Sequence, residues 1–109
     1  MRILLVDDEP SLLSLLSQYL TRQGYDVKTA ATREAAVSLL ASDGFEIDAA
    51  IIDLTLPDGS GEEVAKHCAA SHPAAKIVIA TGFHYEAPVG TWTVLQKPFP
   101  PRALLNILS

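Results

Sequence analysis

The sequence has little of several features that mark particular classes of protein. It has one cysteine, Cys68, so no internal disulfide can form, and no apolar run approaches the roughly 18 residues needed to span a bilayer. Its eight lysine and arginine residues are scattered and its net charge is −5, so no basic stripe exists to neutralise nucleic-acid phosphates. The first residues do not resemble a signal peptide. We therefore expect a soluble, cytoplasmic protein that binds neither nucleic acid nor membranes.

Short apolar runs rich in β-branched residues recur along the chain and indicate the strands of a parallel sheet. The runs at 3–6, 49–52 and 77–80 are bounded by polar or turn residues, which is typical of strands buried on both faces. Residues 25–30 alternate between apolar and polar side chains, as an edge strand does. A fifth and last strand is predicted at 93–96.

Amphipathic helices are predicted between these strands. We expect one from near Pro10 to Gly24, one capped by Thr32 that ends before Asp43, one from about Glu62 to Ser71, and a short last helix from Pro101. The segment 82–91 contains Pro88 and Gly90 and has no helical repeat, so the fourth crossover helix should be short or missing. Residues 1–109 are thus predicted to form one α/β domain with a doubly wound, five-stranded parallel sheet.

Acidic residues and one lysine lie at the predicted carboxyl ends of the strands. Asp7 and Asp8 follow the first strand, Asp53 follows the third, Thr81 the fourth, and Lys97 the fifth. Because the carboxyl ends of parallel strands meet at one edge of the sheet, we expect these side chains to converge there. Clustered carboxylates repel one another unless a cation compensates, and Mg²⁺ prefers oxygen ligands of this kind.

Such an edge is suited to phosphoryl transfer. The Asp53 carboxylate could attack phosphorus and form an aspartyl phosphate, while the Lys97 ammonium and the Thr81 hydroxyl contact the phosphate oxygens. Mg²⁺ would offset the negative charge that develops during the transfer. The expected metal ligands are Asp8 and Asp53 directly, Asp7 through water, and a backbone carbonyl near Thr55.

Four motifs resemble the receiver domain of bacterial response regulators, in the family's order and over nearly the whole chain. They are Val-Asp-Asp-Glu at 6–9, Asp-Leu-Thr-Leu-Pro at 53–57 followed by Gly61, Ala-Thr-Gly at 80–82, and Lys-Pro-Phe at 97–99. The resemblance implies that Asp53 receives a phosphoryl group from a histidine kinase or histidine phosphotransfer protein, with Mg²⁺ as cofactor. It also implies a flavodoxin-like 2-1-3-4-5 strand order and a cis Lys97–Pro98 peptide bond. The domain would catalyse at most its own phosphorylation and dephosphorylation.

The chain departs from the family pattern in two places. Receivers usually carry an aromatic switch residue three positions before the lysine, where this sequence has Val94. They also usually have a full helix where this chain has the short segment after Thr81. The usual coupling between the site and the output surface is therefore altered, and a receiver-like interaction module with altered switching is one alternative function.

Aromatic residues are concentrated in this atypical segment. Phe83, Tyr85 and Trp92 could pack locally in place of the missing helix, or the region could bind a downstream protein partner together with the last strand and helix. In the family, positions equivalent to Thr55 and Phe83 influence the access of water to the phosphoryl group. The bulky Phe83 side chain therefore suggests slow hydrolysis.

The sequence fits two other classes of protein less well. A phosphatase-like enzyme with an aspartate nucleophile would carry an Asp-x-Asp motif that begins at the nucleophile. Here Asp53 is followed by Leu54 and Thr55. A flavodoxin-like nucleotide binder would need a glycine- or serine-rich loop after the first strand. The acidic residues at 7–9 would repel phosphate at that position.

Overall fold

A computed structural model describes residues 1–108 as a parallel sheet with helices on both faces. The strands of this sheet are β1 (Arg2–Val6), β2 (Asp26–Ala30), β3 (Ala49–Asp53), β6 (Lys76–Thr81) and β7 (Thr93–Gln96). A separate two-stranded hairpin consists of β4 (Thr55–Leu56) and β5 (Gly59–Ser60). The helices are α1 (Pro10–Arg22), α2 (Arg33–Ala41), α3 (Gly61–Ser71) and α4 (Arg102–Leu108). None of these helices is long and apolar enough to cross a membrane.

All neighbouring strands of the main sheet are parallel, in the order β2-β1-β3-β6-β7. Counted without the hairpin, this is the predicted 2-1-3-4-5 order of a doubly wound sheet, so the predicted fold is confirmed. The central strands β1, β3 and β6 are almost entirely buried, as their continuous apolar runs indicated. Their carboxyl ends form one edge of the domain.

The two faces of the sheet pack against different pairs of helices. On one face, Leu4, Ile52 and Ile79 belong to a buried cluster that includes Leu40 of α2 and Val64 of α3. On the other face, a second cluster contains residues of β1, β3 and β6 together with α1 and α4: Ile3, Leu5, Leu16, Leu20, Ile51, Val78, Leu104 and Leu108. The alternation of side chains along each strand supplies both clusters.

Local sequence signals account for where the helices begin. Pro10 occupies the first turn of α1, and the Thr32 side chain accepts a hydrogen bond from the Ala35 N–H at the start of α2. Ser60 and Glu63 form a reciprocal capping box at the start of α3. The third and fourth helices begin at Gly61 and Arg102, each one residue from the predicted start.

The connection between Thr81 and Thr93, all of which the structure describes, contains no helix, as predicted. Tyr85 and Trp92 are partly buried and pack against the cluster of α2 and α3, so they cover the sheet where a fourth crossover helix would lie. Phe83 does not join them, because 69% of its surface is exposed. Of the two interpretations of these aromatic residues, local packing therefore applies to Tyr85 and Trp92 and not to Phe83.

Candidate functional site

The aspartates at the carboxyl edge of the sheet lie together. One carboxylate oxygen from each of Asp7, Asp8 and Asp53 lies within 4.8 Å of the other two. Asp7 and Asp8 follow β1, and Asp53 is the last residue of its neighbour β3. Parallel pairing of adjacent strands therefore brings Asp53 to the Asp7–Asp8 pair from a distant part of the sequence, as the sequence predicts.

Asp7 is the buried member of this cluster, with 4% of its surface exposed. Its N–H donates to the Ala30 carbonyl over 3.1 Å, which fixes the backbone at the end of β1. Its Oδ1 accepts the Glu9 N–H at 2.9 Å, and its Oδ2 accepts a hydrogen bond from the Lys97 ammonium at 2.9 Å. A buried carboxylate requires such partners, and Lys97 supplies the balancing charge.

Asp53 is half-buried and less firmly held than Asp7. Its Oδ2 lies 3.6 Å from the Lys97 ammonium, and its Oδ1 accepts a long 3.4 Å hydrogen bond from the Thr55 N–H. Burial raises the pKa of Asp53 above its ordinary value; the positive charge of Lys97 opposes this, and the negative charge of Asp7 adds to it. Burial therefore disfavours the charge of the Asp53 carboxylate, and its two long contacts offset this only in part.

Lys97 contacts both Asp7 and Asp53 and connects the last strand to the site. Its N–H donates to the Thr81 carbonyl at 2.8 Å, and the Lys97–Pro98 peptide bond is cis, as the family resemblance implies. Burial lowers the pKa of Lys97, but the hydrogen bond and negative charge of Asp7, with the charge of Asp53, outweigh it and leave the pKa above its ordinary value. The side chain is a permanent cation at this edge.

Thr81 ends β6 and is buried. Its Oγ1 accepts a 3.0 Å hydrogen bond from the Phe83 N–H, and it lies 3.4 Å from the Phe83 carbonyl oxygen. The hydroxyl thus closes a tight turn at the start of the helix-free connection. A change in the position of this hydroxyl would release the Phe83 backbone.

The loop after Asp53 folds back as the β4–β5 hairpin, which the sequence did not reveal. Thr55 pairs with Ser60 across it, and Gly61 donates its N–H to the Leu54 carbonyl at 2.7 Å. A Cβ atom at position 61 would overlap the backbone carbonyl of Asp53, so only glycine fits there. The close turn positions exposed Thr55, the expected carbonyl ligand, next to Asp53.

A second group of contacts was also missed from the sequence. The Tyr85 hydroxyl donates to Glu62 Oε2 at 2.6 Å and accepts a hydrogen bond from Trp92 Nε1 at 3.0 Å. Burial and the hydrogen bond to Glu62 raise the pKa of Tyr85. This network attaches the segment after Thr81 to α3. The spacing of Glu62 and Tyr85 along the sequence does not predict it.

The donor set fits a hard divalent cation. Asp7, Asp8 and Asp53 present carboxylate oxygens, and the only ammonium or guanidinium group paired with any of them within residues 1–108 is Lys97. Three negative charges beside one positive charge leave an excess that a doubly charged ion balances. Carboxylate oxygens are the protein ligands that Mg²⁺ takes, together with water.

Comparisons with known proteins agree with this geometry. A family model described as the response regulator receiver domain matches residues 3–109. The chain is 29% identical over 109 aligned residues to the response regulator SaeR of Staphylococcus aureus strain USA300, an alignment that covers 94% of this chain and 46% of SaeR. The chain therefore spans about half the length of the curated relatives it matches.

Solved structures are similar over nearly the whole chain. A response regulator receiver protein from Sinorhizobium medicae has a TM-score of 0.90 at 27% identity, covering 99% of this chain and 90% of that one. The response regulator TrrA from Thermotoga maritima, solved in complex with Mg²⁺ and BeF, has a TM-score of 0.76 at 30% identity, covering 99% of this chain and 98% of that one.

Proposed function

The chain belongs to the response regulator receiver domain family, and from that premise we propose that it accepts a phosphoryl group on Asp53 in a Mg²⁺-dependent reaction. The observation that carries the proposal is the convergence of Asp7, Asp8 and Asp53 beside the Lys97 ammonium. A signalling role follows from the family, whose members are receivers rather than metabolic enzymes.

In the proposed reaction, an Asp53 carboxylate oxygen attacks the phosphorus of a phosphohistidine donor. The new O–P bond forms as the N–P bond breaks, and its electron pair returns to the imidazole nitrogen of the donor, which takes up a proton. Mg²⁺ held by Asp7, Asp8, Asp53 and the Thr55 carbonyl would supply charge stabilisation for the transferring group. The partial exposure of Asp53 leaves the carboxylate open to the donor.

Lys97 and Thr81 have separate proposed roles in holding the product. Lys97 lies 3.6 Å from Asp53 Oδ2, so its ammonium can donate to a phosphoryl oxygen carried by that residue. Thr81 can donate its hydroxyl to a second oxygen by giving up its 3.4 Å contact with the Phe83 carbonyl, while its Oγ1 can still accept the Phe83 N–H. Phosphorylation is therefore expected to remove the weaker of the two contacts that close the turn at Phe83.

The donor is proposed to be a histidine kinase or a histidine phosphotransfer protein. Next to the site, Glu9, Leu12, Lys97 and Phe99 help to line an open cavity of about 450 Å³. Its largely apolar wall offers a surface for a docking partner beside the reactive carboxylate. The downstream partner is proposed to bind the 83–92 region with β7 and α4, where Phe83 and Val89 are exposed.

Calorimetric titration with beryllium fluoride, a phosphoryl mimic, tests the proposed site. We expect binding to the wild type only when Mg²⁺ is present, and no binding to Asp53→Asn. Asp43→Asn is the matched control, because Asp43 is an exposed carboxylate in the loop that precedes β3, at the opposite edge of the sheet. Binding that is independent of Mg²⁺, or that is retained by Asp53→Asn, would contradict the proposal.

A further inference from the structure

Asp58, at the turn of the β4–β5 hairpin, contacts a helix that begins 25 residues earlier in the chain. Its Oδ1 accepts the Arg33 N–H at 2.7 Å and its Oδ2 accepts the Glu34 N–H at 2.9 Å. These are the first two N–H groups of α2, which have no partner within the helix. One carboxylate therefore satisfies two donors of a separate element.

Arg33 strengthens the same contact from the helix side. Its Nε donates to the Asp58 backbone carbonyl at 3.2 Å and lies 3.6 Å from Glu63 Oε2, the capping residue of α3. A Cβ at Gly59 would come within 2.6 Å of the Arg33 side chain, so the hairpin backbone lies directly against it. The turn is thus held between the amino ends of α2 and α3.

The two backbone hydrogen bonds also keep the Asp58 carboxylate charged. The Glu34 N–H, then the Arg33 N–H, lower the pKa of Asp58 below its ordinary value. Hydrogen bonds to an ionised acceptor are shorter and stronger than neutral ones, in agreement with the 2.7 and 2.9 Å distances.

The hairpin held in this way carries the predicted metal ligand. Thr55 lies at its start, paired with Ser60, and its N–H donates to Asp53 Oδ1. Leu56 is buried in the cluster of α2 and α3 and anchors the inner part of the hairpin, whereas Pro57 and Asp58 are exposed at the turn and gain little from packing. The bonds between Asp58 and α2 are the polar contacts that hold the outer end of the hairpin in place.

We propose that Asp58 is a positioning residue for the phosphoacceptor site: by joining the hairpin to α2, it fixes the Thr55 carbonyl and so sets the affinity for Mg²⁺. This inference rests on the proposed function, because it concerns the same metal site. Asp58 itself takes no part in the chemistry. It acts on the site through the backbone of residues 55–58.

The chain offers a matched control on the same helix. Thr32 also caps α2, accepting the Ala35 N–H at 3.0 Å, but it is not part of the hairpin. Asp58→Ala and Thr32→Ala both remove acceptors from the first turn of α2, and only the former releases the hairpin. Asp58→Asn retains one carbonyl oxygen and should give an intermediate result.

The experiment measures the Mg²⁺ dissociation constant of each variant by calorimetry, and its phosphorylation rate with a small phosphodonor at low and saturating Mg²⁺. For Asp58→Ala we expect a dissociation constant about tenfold higher, the low end of what loss of a supporting group costs a metal site. Its phosphorylation rate should return to the wild-type value at saturating Mg²⁺. Thr32→Ala should lower stability and leave the dissociation constant unchanged.

The outcomes separate the two proposals. If the wild type binds Mg²⁺ but Asp58→Ala binds it no more weakly than Thr32→Ala does, the inference about Asp58 is wrong and the proposed function stands. A phosphorylation rate of Asp58→Ala that stays low at saturating Mg²⁺ would also overturn the inference, since the defect would not lie in metal affinity. If the wild type binds no Mg²⁺, both proposals fail.

Discussion

Lys97 Nζ lies 2.9 Å from Asp7 Oδ2, although 90 residues separate the two in sequence. This is the shortest contact between opposite charges at the site. It joins the residue that follows β1 to the residue that follows β7. Because Asp7 is buried, the nearby Lys97 ammonium is the group of the protein that balances its charge. Lys97 therefore has a structural role in addition to its proposed contact with phosphate.

Replacing Lys97 with methionine should destabilise the metal-free protein, because it leaves the buried Asp7 carboxylate uncompensated. We expect the free energy of unfolding at pH 7 to fall by about 2 kcal/mol, less than for a fully buried pair because Lys97 retains some exposure. Urea unfolding in the presence of a chelator measures the change. Mg²⁺ should restore much of the lost stability by replacing the missing positive charge.

Lys66→Met is the matched control for that change. Lys66 pairs with Glu62 at 3.7 Å on an exposed helix surface, and such a pair contributes less than about 1 kcal/mol. A similar loss of stability in both variants would show that the Lys97–Asp7 pair has no special role.

The raised pKa of Asp53 predicts how stability depends on pH. Because the folded state disfavours the charged carboxylate, ionised Asp53 lowers stability above its folded pKa. That cost diminishes as the pH falls through the folded pKa and is gone below the unfolded value of 3.8. Asp53→Asn should therefore stabilise the metal-free protein at pH 7, by less than about 1 kcal/mol since Asp53 is only half-buried, and much less at pH 3.5.

Chemical denaturation at the two pH values, with a chelator present, checks this prediction. With Mg²⁺ at pH 7 the order should reverse, because the ion binds the wild type more tightly and stabilises it by mass action. If metal-free Asp53→Asn is less stable than the metal-free wild type at pH 7, burial does not disfavour the charge of Asp53 as this account requires.

Gly61→Ala should be strongly destabilising, because its Cβ would overlap the Asp53 carbonyl oxygen. Both the clashing group and the glycine are backbone, so the strain cannot be relieved by a side-chain rotation. We expect a loss of about 3 kcal/mol or more in the free energy of unfolding, at the upper end of the cost of overpacking. Thermal unfolding measures it.

Gly82→Ala provides the comparison for Gly61→Ala, since a Cβ at position 82 meets no atom within 4 Å. This substitution should be neutral or stabilise by up to about 1 kcal/mol through the entropy of the unfolded chain. If both substitutions change the free energy of unfolding equally, the close approach of Gly61 to the Asp53 carbonyl is not the cause of the destabilisation.

Much of the fold and the clustering of the acids follow from local features of the sequence. The buried strands are short apolar runs, and Asp7, Asp53 and Thr81 each lie where such a run ends. Lys97 follows the less buried last strand, so parallel pairing predicts that all four meet. The hairpin was missed because its strands have two residues each, too few for any periodicity.

The contacts of Asp58 and Tyr85 were missed for a different reason. Asp58 beside Gly59 is an ordinary turn sequence, and its partner helix begins 25 residues earlier. Tyr85 bonds to Glu62, 23 residues earlier, through the atypical connection that replaces a helix. Pairings of common polar residues at arbitrary separations leave no pattern in a single sequence.

Tyr85→Phe should loosen the connection between β6 and β7. The change removes the donor to Glu62 and leaves the Trp92 N–H without its acceptor, at a cost of about 1 to 3 kcal/mol. The fluorescence of Trp92, the only tryptophan, should shift towards that of a more exposed indole. Tyr19→Phe is the control, because the Tyr19 hydroxyl has no hydrogen bond within residues 1–108. An unchanged spectrum and unchanged stability in Tyr85→Phe would contradict the role of this network.

Peptide mapping by mass spectrometry after incubation with Mg²⁺ and a small phosphodonor tests the central claim most directly. The account predicts one acid-stable, base-labile phosphoryl group on the peptide that contains Asp53, present with Mg²⁺, absent with a chelator, and absent from Asp53→Asn. A phosphoryl group on another residue, or one retained by Asp53→Asn, or none on the wild type would contradict it.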